Sequence, residues 1–293
     1  MLPPRKVLGT TLAAVRDSLL SVFADEPGTS LGSVGTALVI ENDPSDDLRR
    51  LGEWLTEAGL ELTVLRPHAG DALPETLDDY LAFVVLGGDQ NAYPAADGTP
   101  GAPWFPQLEG LLRKAVRNRV PTLAICLGAQ LLAQAHGGLV ERGPSGPEIG
   151  PGLVGKRDAT DNDPLFKWVP LIPDVIQWHR DEITELPLRS VLLAASSRCP
   201  HQAFRLGDRA WAVQFHIECD IEMVEAWAAS DRDGLDELGY DAEAVVYAIA
   251  EILPDVEEVW QPFATRFASL ALGTLPDSDI PNPTGHTLPL LGQ

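Results

Sequence analysis

The 293-residue chain is long enough to bury a substantial core, and its 45% hydrophobic content fits a soluble globular protein of one domain or one and a half. A formal net charge of −22 argues against nucleic acid or an anionic membrane as partner, because a phosphate-binding surface needs clustered Lys and Arg; the acidic excess is read as serving solubility. Three cysteines, Cys126, Cys199 and Cys219, are odd in number and lack metal-type spacing, so neither a disulfide framework nor a zinc site is expected, and a reducing cytoplasm fits best.

Near the N-terminus, Arg5 and Lys6 precede an apolar stretch that Arg16 and Asp17 interrupt, so a signal peptide is not expected, and no run reaches the length of a membrane span. Residues 10–24 carry apolar positions at helical spacing (Leu12, Val15, Leu19, Leu20, Phe23), followed by a Gly/Ser/Pro-rich link from Pro27 to Gly35. Thus 1–35 is read as a helical extension and linker, 36–230 as the main domain, 231–273 as helices packed on it, and 274–293, with four prolines, as a flexible tail.

Thr36 to Ile40 predicts a buried strand, after which Ser45 is expected to cap a helix marked by Leu48, Leu51, Trp54 and Leu55. Gly59 ends that helix, Leu60 to Leu65 gives the next strand, and Leu81 to Leu86 a third, a succession that predicts an α/β fold with a mostly parallel sheet. Gly87 and Gly88 follow, where backbone can come close to a ligand or can simply turn. Residues 91–106 read as a surface loop able to cover a site, and Gln107 to Arg119 as a helix.

The next stretch is the most informative. Thr122 to Cys126 suits a buried strand and runs straight into a helical segment, which puts Cys126 at a tight corner with Ala124 and Gly128 as small neighbours. There the first free amides of the helix, beginning with Leu127, face the sulfur and favour its thiolate. Gln130, four residues on, lies one turn away and can reach the same pocket. Taken alone, Cys126 reads equally well as a buried apolar cysteine.

Beyond Gly137 and Gly138, short strands and turns are expected from Leu139 to Lys156 and around Gln177 to Asp181, with further strands at Val191 to Ser196 and Ala210 to Phe215. The run Trp211 to Glu218 is read as strand-like, which places His216 and Glu218 on one face, so that the carboxylate can orient the imidazole as a general base. His179 is the rival base. Helical patterns are read over 221–229, 241–252 and Val256 to Leu272, with Trp260, Phe263, Phe267 and Leu270 as a packing stripe.

Ile125-Cys-Leu-Gly-Ala-Gln130, Gln214-Phe-His-Ile-Glu218, Val84-Val-Leu-Gly-Gly88, and His136 to Arg142 followed by Glu148-Ile-Gly150 occur in the order that resembles the class I (triad) glutamine amidotransferases, especially free-standing members similar to the amidotransferase domain of GMP synthetase. Ala124, Asp89 and Ile217 depart from residues usual in that family. The resemblance implies a flavodoxin-like, mostly parallel sheet flanked by helices with a small antiparallel addition. It implies Cys126 as nucleophile, His216 and Glu218 as its partners, and the Gly88 and Leu127 amides as the oxyanion hole. It implies substrate contacts at Gly87, Gln130, His179, Arg180 and Asp181, with Arg180 replacing an expected glycine.

The expected chemistry is hydrolysis of the glutamine side-chain amide without metal or organic cofactor. No nucleotide-binding Gly-rich loop is read, so a separate ammonia-accepting synthetase is the expected partner. The alternatives are a γ-glutamyl peptidase or γ-glutamyl amide hydrolase using the same triad, and a catalytically silent regulatory or binding subunit.

Overall fold

A computed structural model describes residues 35–276. The expected helix at 10–24, its link, and the tail beyond residue 276 lie outside the described residues. The central sheet is built from β1 (Gly35–Ile40), β2 (Leu60–Leu65), β3 (Ala82–Val85), β4 (Thr122–Ile125), β7 (Gly155–Lys156), β10 (Ser190–Ala195), β11 (Ala203–Leu206) and β12 (Ala210–Val213). Their order is β2-β1-β3-β4-β12-β11-β10-β7, parallel from β2 to β12 and antiparallel beyond. Two small antiparallel pairs, β5 (Leu139–Arg142) with β9 (Asp181–Glu185) and β6 (Glu148–Leu153) with β8 (Asp174–His179), complete the expected architecture.

Alternation along the strands explains the layers, since successive side chains point to opposite faces. Ala37 and Val39 of β1 join a core with α1 (Arg49–Glu57) and the long terminal helix, whereas Leu38 and Ile40 join a core with α2 (Phe105–Asn118) and α3 (Leu127–Ala135). The central strands are therefore buried on both faces, as a parallel sheet covered by helices requires.

Two local readings are corrected. Ser45 does not cap α1: the helix begins at Arg49 after Leu48, and the Ser45 hydroxyl donates instead to Asp43 Oδ1 at 2.7 Å. The region beyond residue 220 forms α4 (Ile221–Ser230), an unforeseen α5 (Arg232–Glu237), and one unbroken α6 (Ala242–Leu272) where two separate helical runs, 241–252 and 256–272, are read from the sequence. A proline inside a helix costs about 3 kcal/mol. Pro254 and Pro262 both lie on the exposed side of α6, while Trp260, Phe263 and Phe267 are buried on the other. Among the described residues no helix is long and apolar enough to cross a membrane.

Candidate active site

β4 passes into α3 through Cys126 alone, whose backbone is held at φ 50°, ψ −110°. A non-glycine residue in such a conformation costs about 1–3 kcal/mol and persists only where its surroundings fix it. Here the Cys126 amide donates to Val213 O of β12 at 2.9 Å, and its carbonyl accepts from Gln130 N at 3.0 Å, opening α3. Gly128 is required next: a Cβ there would overlap the Val85 carbonyl oxygen of β3. The sulfur thus stands at the carboxyl end of the parallel strands, beside the N-terminus of a nine-residue helix.

His216 arrives from the far side of β12. That strand ends at Val213, so the strand-like reading of 211–218 is corrected: residues 214–218 bend, and His216 is held by a single bridge to β8, its amide donating to Ile176 O at 2.8 Å. Nevertheless His216 Nδ1 donates to Glu218 Oε1 at 2.7 Å, and the other carboxylate oxygen accepts from the Ile217 amide at 2.9 Å. His216 and Glu218 are 2% and 0% exposed, which leaves the pair with little competition from water. Burial pushes the His216 pKa down, but the Glu218 charge and the neighbouring Cys126 and Cys219 raise it well above the usual histidine value.

Cys126, His216, Gly88, Leu127 and Gln130 line one pocket of about 500 Å³. Gly88 stands against Leu127, where a Cβ would come within 2.9 Å of Leu127 Cδ2 and 2.6 Å of Gln90 Oε1. Gly87 lies against the imidazole, its Cβ position 3.3 Å from His216 Cε1. Gln130 is buried and donates to Asp181 O at 3.1 Å and to Gln214 Oε1 at 3.3 Å; Gln214 in turn donates to Cys126 Sγ at 3.7 Å.

The His179–Asp181 corner forms the opposite wall. His179 has a carboxylate partner that the sequence does not reveal: its Nε2 lies 3.2 Å from Glu148 Oε2, across the β6–β8 pair, and its Nδ1 faces Asp181 O at 3.0 Å. Burial pushes the Glu148 pKa up, but the adjacent His179, the Ser196 hydrogen bond and the Arg198 charge more than offset it and hold the carboxylate low. Arg180 is committed to Asp231, at 2.8 and 2.6 Å from its two oxygens. Asp181 Oδ1 is buried, has no hydrogen-bond partner among the described residues, and lies 4.0 Å from Arg142. Asn91, in the 91–106 loop, lines the pocket, so that loop reaches the site.

Sequence reasoning missed Trp227 and Asp46. The Trp227 ring packs edge-on against His216 at 4.7 Å, and its Nε1 donates to Asp46 Oδ1 at 2.8 Å. Their spacing of 181 residues gives no local signal. His216, Glu218 and Cys219 also bring one ligand atom each within 4.8 Å of one another. Burial pushes the Cys219 thiol far up.

Residues 50–223 match the family model described as "Glutamine amidotransferase class-I". The chain is 36% identical over 184 residues to one of the subunits of the glutamine-hydrolyzing GMP synthase of Pyrococcus furiosus, covering 62% of this chain and 88% of that protein. It is 31% identical over 153 residues to gamma-glutamyl peptidase 3 of Arabidopsis thaliana, covering 50% of this chain and 58% of that protein. The structure superposes on that of a glutamine amidotransferase from Thermotoga maritima with a TM-score of 0.71 and 27% identity, covering 80% of this chain and 98% of the other.

Proposed function

Because the chain belongs to the class-I glutamine amidotransferase family, we propose that it hydrolyses the side-chain amide of glutamine through a thioester on Cys126. The observation that carries this reading is that Cys126 and His216 line one pocket, with the His216 ring bonded to Glu218 at 2.7 Å. The Cys126 thiolate attacks the amide carbon, and the tetrahedral oxyanion is received by the amides of Leu127 and Gly88, one such donor being worth about 3 kcal/mol. His216, held as imidazolium by Glu218, gives its proton to the departing nitrogen, so that the C–N bond breaks and ammonia leaves. The same ring then removes a proton from water, which attacks the thioester carbon; glutamate departs and the thiolate is restored.

The buried Asp181 Oδ1, which accepts no hydrogen bond from the described residues and has Arg142 at 4.0 Å, suits the substrate's α-ammonium group, and Gln130 fixes the Asp181 backbone beside Gln214 and the sulfur. His179, paired with Glu148, builds this wall rather than acting as base, and Arg180 shapes it through its bond to Asp231. Ammonia would pass to a separate synthetase, as the likeness to part of a GMP synthase suggests. In domain terms, residues 36–230 form the amidotransferase unit and 231–273 the helices packed on it.

A second reading, γ-glutamyl peptide hydrolysis with no acceptor, is favoured by the likeness to gamma-glutamyl peptidase 3. The same thioester chemistry would then release a peptide amine in place of ammonia. Steady-state turnover of glutamine against a γ-glutamyl dipeptide separates the two: kcat/KM higher for glutamine supports the first, and higher for the dipeptide replaces it with the second.

A further inference from the structure

The loop after β1 carries an acid that the proposed chemistry does not use. Asp46 is 7% exposed and lines the pocket, although aspartate is almost never buried without a partner. One oxygen, Oδ1, accepts from Trp227 Nε1 at 2.8 Å; the same indole N–H is shared with Ser45 O at 3.0 Å. The other, Oδ2, lies over Gly87, where a Cβ would overlap it while standing 3.3 Å from His216 Cε1. The Asp46 carboxyl and the imidazole therefore share the space above one glycine, and the Trp227 ring closes that space at 4.7 Å from the imidazole.

We propose that Asp46 is a positioning residue for the reaction at Cys126: it braces the His216 ring through Trp227 and, as a second carboxylate beside Glu218, favours the imidazolium half of the Cys126–His216 pair. A negative charge nearer to the imidazolium than to the sulfur stabilises the pair as a whole. The groups that face Asp46 are His216 and Glu218 from the bend after β12, Asp43 from its own loop, and the Trp227 N–H from α4. Burial raises its pKa to about 7; His216 lowers it, Glu218 and Asp43 raise it, and the Trp227 hydrogen bond lowers it. Asp46 thus carries its proton at pH 6 and is ionised at pH 8, which makes the support it gives His216 dependent on pH. This rests on Cys126 and His216 as the reacting pair, not on which γ-glutamyl compound they act upon.

The test is alkylation of the full chain by iodoacetamide at pH 6 and pH 8, with the modification of Cys126 quantified by peptide mass spectrometry. Asp46→Asn keeps an oxygen for Trp227 but cannot ionise. Its Cys126 should react about fivefold more slowly than wild type at pH 8 and within about twofold of it at pH 6. An equal loss at both pH values, the mark of a merely structural role, overturns the proposal, as does no loss at pH 8. Should that variant not fold, Trp227→Phe removes the N–H that lowers the Asp46 pKa, together with part of the ring packed on His216, and the midpoint of the rise in alkylation expected near pH 7 should move up by about half a unit or more. An unmoved midpoint overturns the proposal. Failure of the glutamine-hydrolysis reading would look different: no amide turnover, with the pH contrast in alkylation intact.

Discussion

Glu218 meets His216 across a bend: His216 Nδ1 donates to Glu218 Oε1 at 2.7 Å although the strand carrying them has ended at Val213. In the proposed mechanism the carboxylate fixes the ring tautomer so that Nε2 serves the sulfur. Glu218→Gln can present an amide N–H to Nδ1 and select the wrong tautomer. We expect kcat to fall by about 10²- to 10⁴-fold with little change in KM, measured on glutamine or a γ-glutamyl dipeptide, whichever turns over. An unchanged kcat would remove Glu218 from the site.

The two histidines should separate cleanly. His216→Gln is expected to abolish turnover, because the ring that protonates the leaving group is gone. His179→Gln is expected to raise KM while leaving kcat within about tenfold, since His179 faces Glu148 and the Asp181 backbone. The reverse pattern in steady-state kinetics would make His179 the base.

Gly87 has room for hydrogen only. Gly87→Ala places a methyl group against Asp46 Oδ2 and 3.3 Å from His216 Cε1. We expect destabilisation of about 1–3 kcal/mol in denaturant unfolding and a loss of kcat, because the methyl group displaces the imidazole. Wild-type values for both would contradict the packing described.

Asp46 also predicts a stability effect whose sign follows from its raised pKa. The folded protein holds this proton up to about pH 7, whereas the unfolded chain releases it near 3.8. Folding is therefore favoured by this group at low pH, and the contribution is lost as pH rises from below 3.8 through about 7. Asp46→Asn removes the titration. Its stability relative to wild type should be greater at pH 8 than at pH 5, by up to about 3 kcal/mol if the whole shift is expressed. Urea unfolding of both proteins at the two pH values measures this, and a difference that does not change with pH would contradict it.

The elements legible in the sequence are those whose signal is local. Cys126 and Gln130 sit at a strand end and in the first turn of the helix that follows, and strand-to-helix succession is enough to place them; Gly88 follows an apolar strand run by three residues. The parallel sheet was legible for the same reason, as each strand is an apolar run bounded by turn residues. What was hidden depends on contacts between distant segments: Glu148 beside His179, Asp231 on Arg180, and Trp227 joining Asp46 to His216. The continuity of α6 through Pro254 was illegible because propensity argues for a break, and only the burial of Trp260 and Phe263 on the opposite side overrides it.

The central claim is that the Cys126 sulfur becomes acylated by a γ-glutamyl group. The most direct measurement is mass spectrometry of the intact protein and its peptides after incubation with a glutamine analogue carrying an electrophile at the amide position. One adduct per chain is expected, on Cys126, slowed by excess glutamine and absent from His216→Gln. A protein that hydrolyses glutamine or a γ-glutamyl dipeptide yet shows no adduct on Cys126, or carries it on Cys199 or Cys219, would contradict the account.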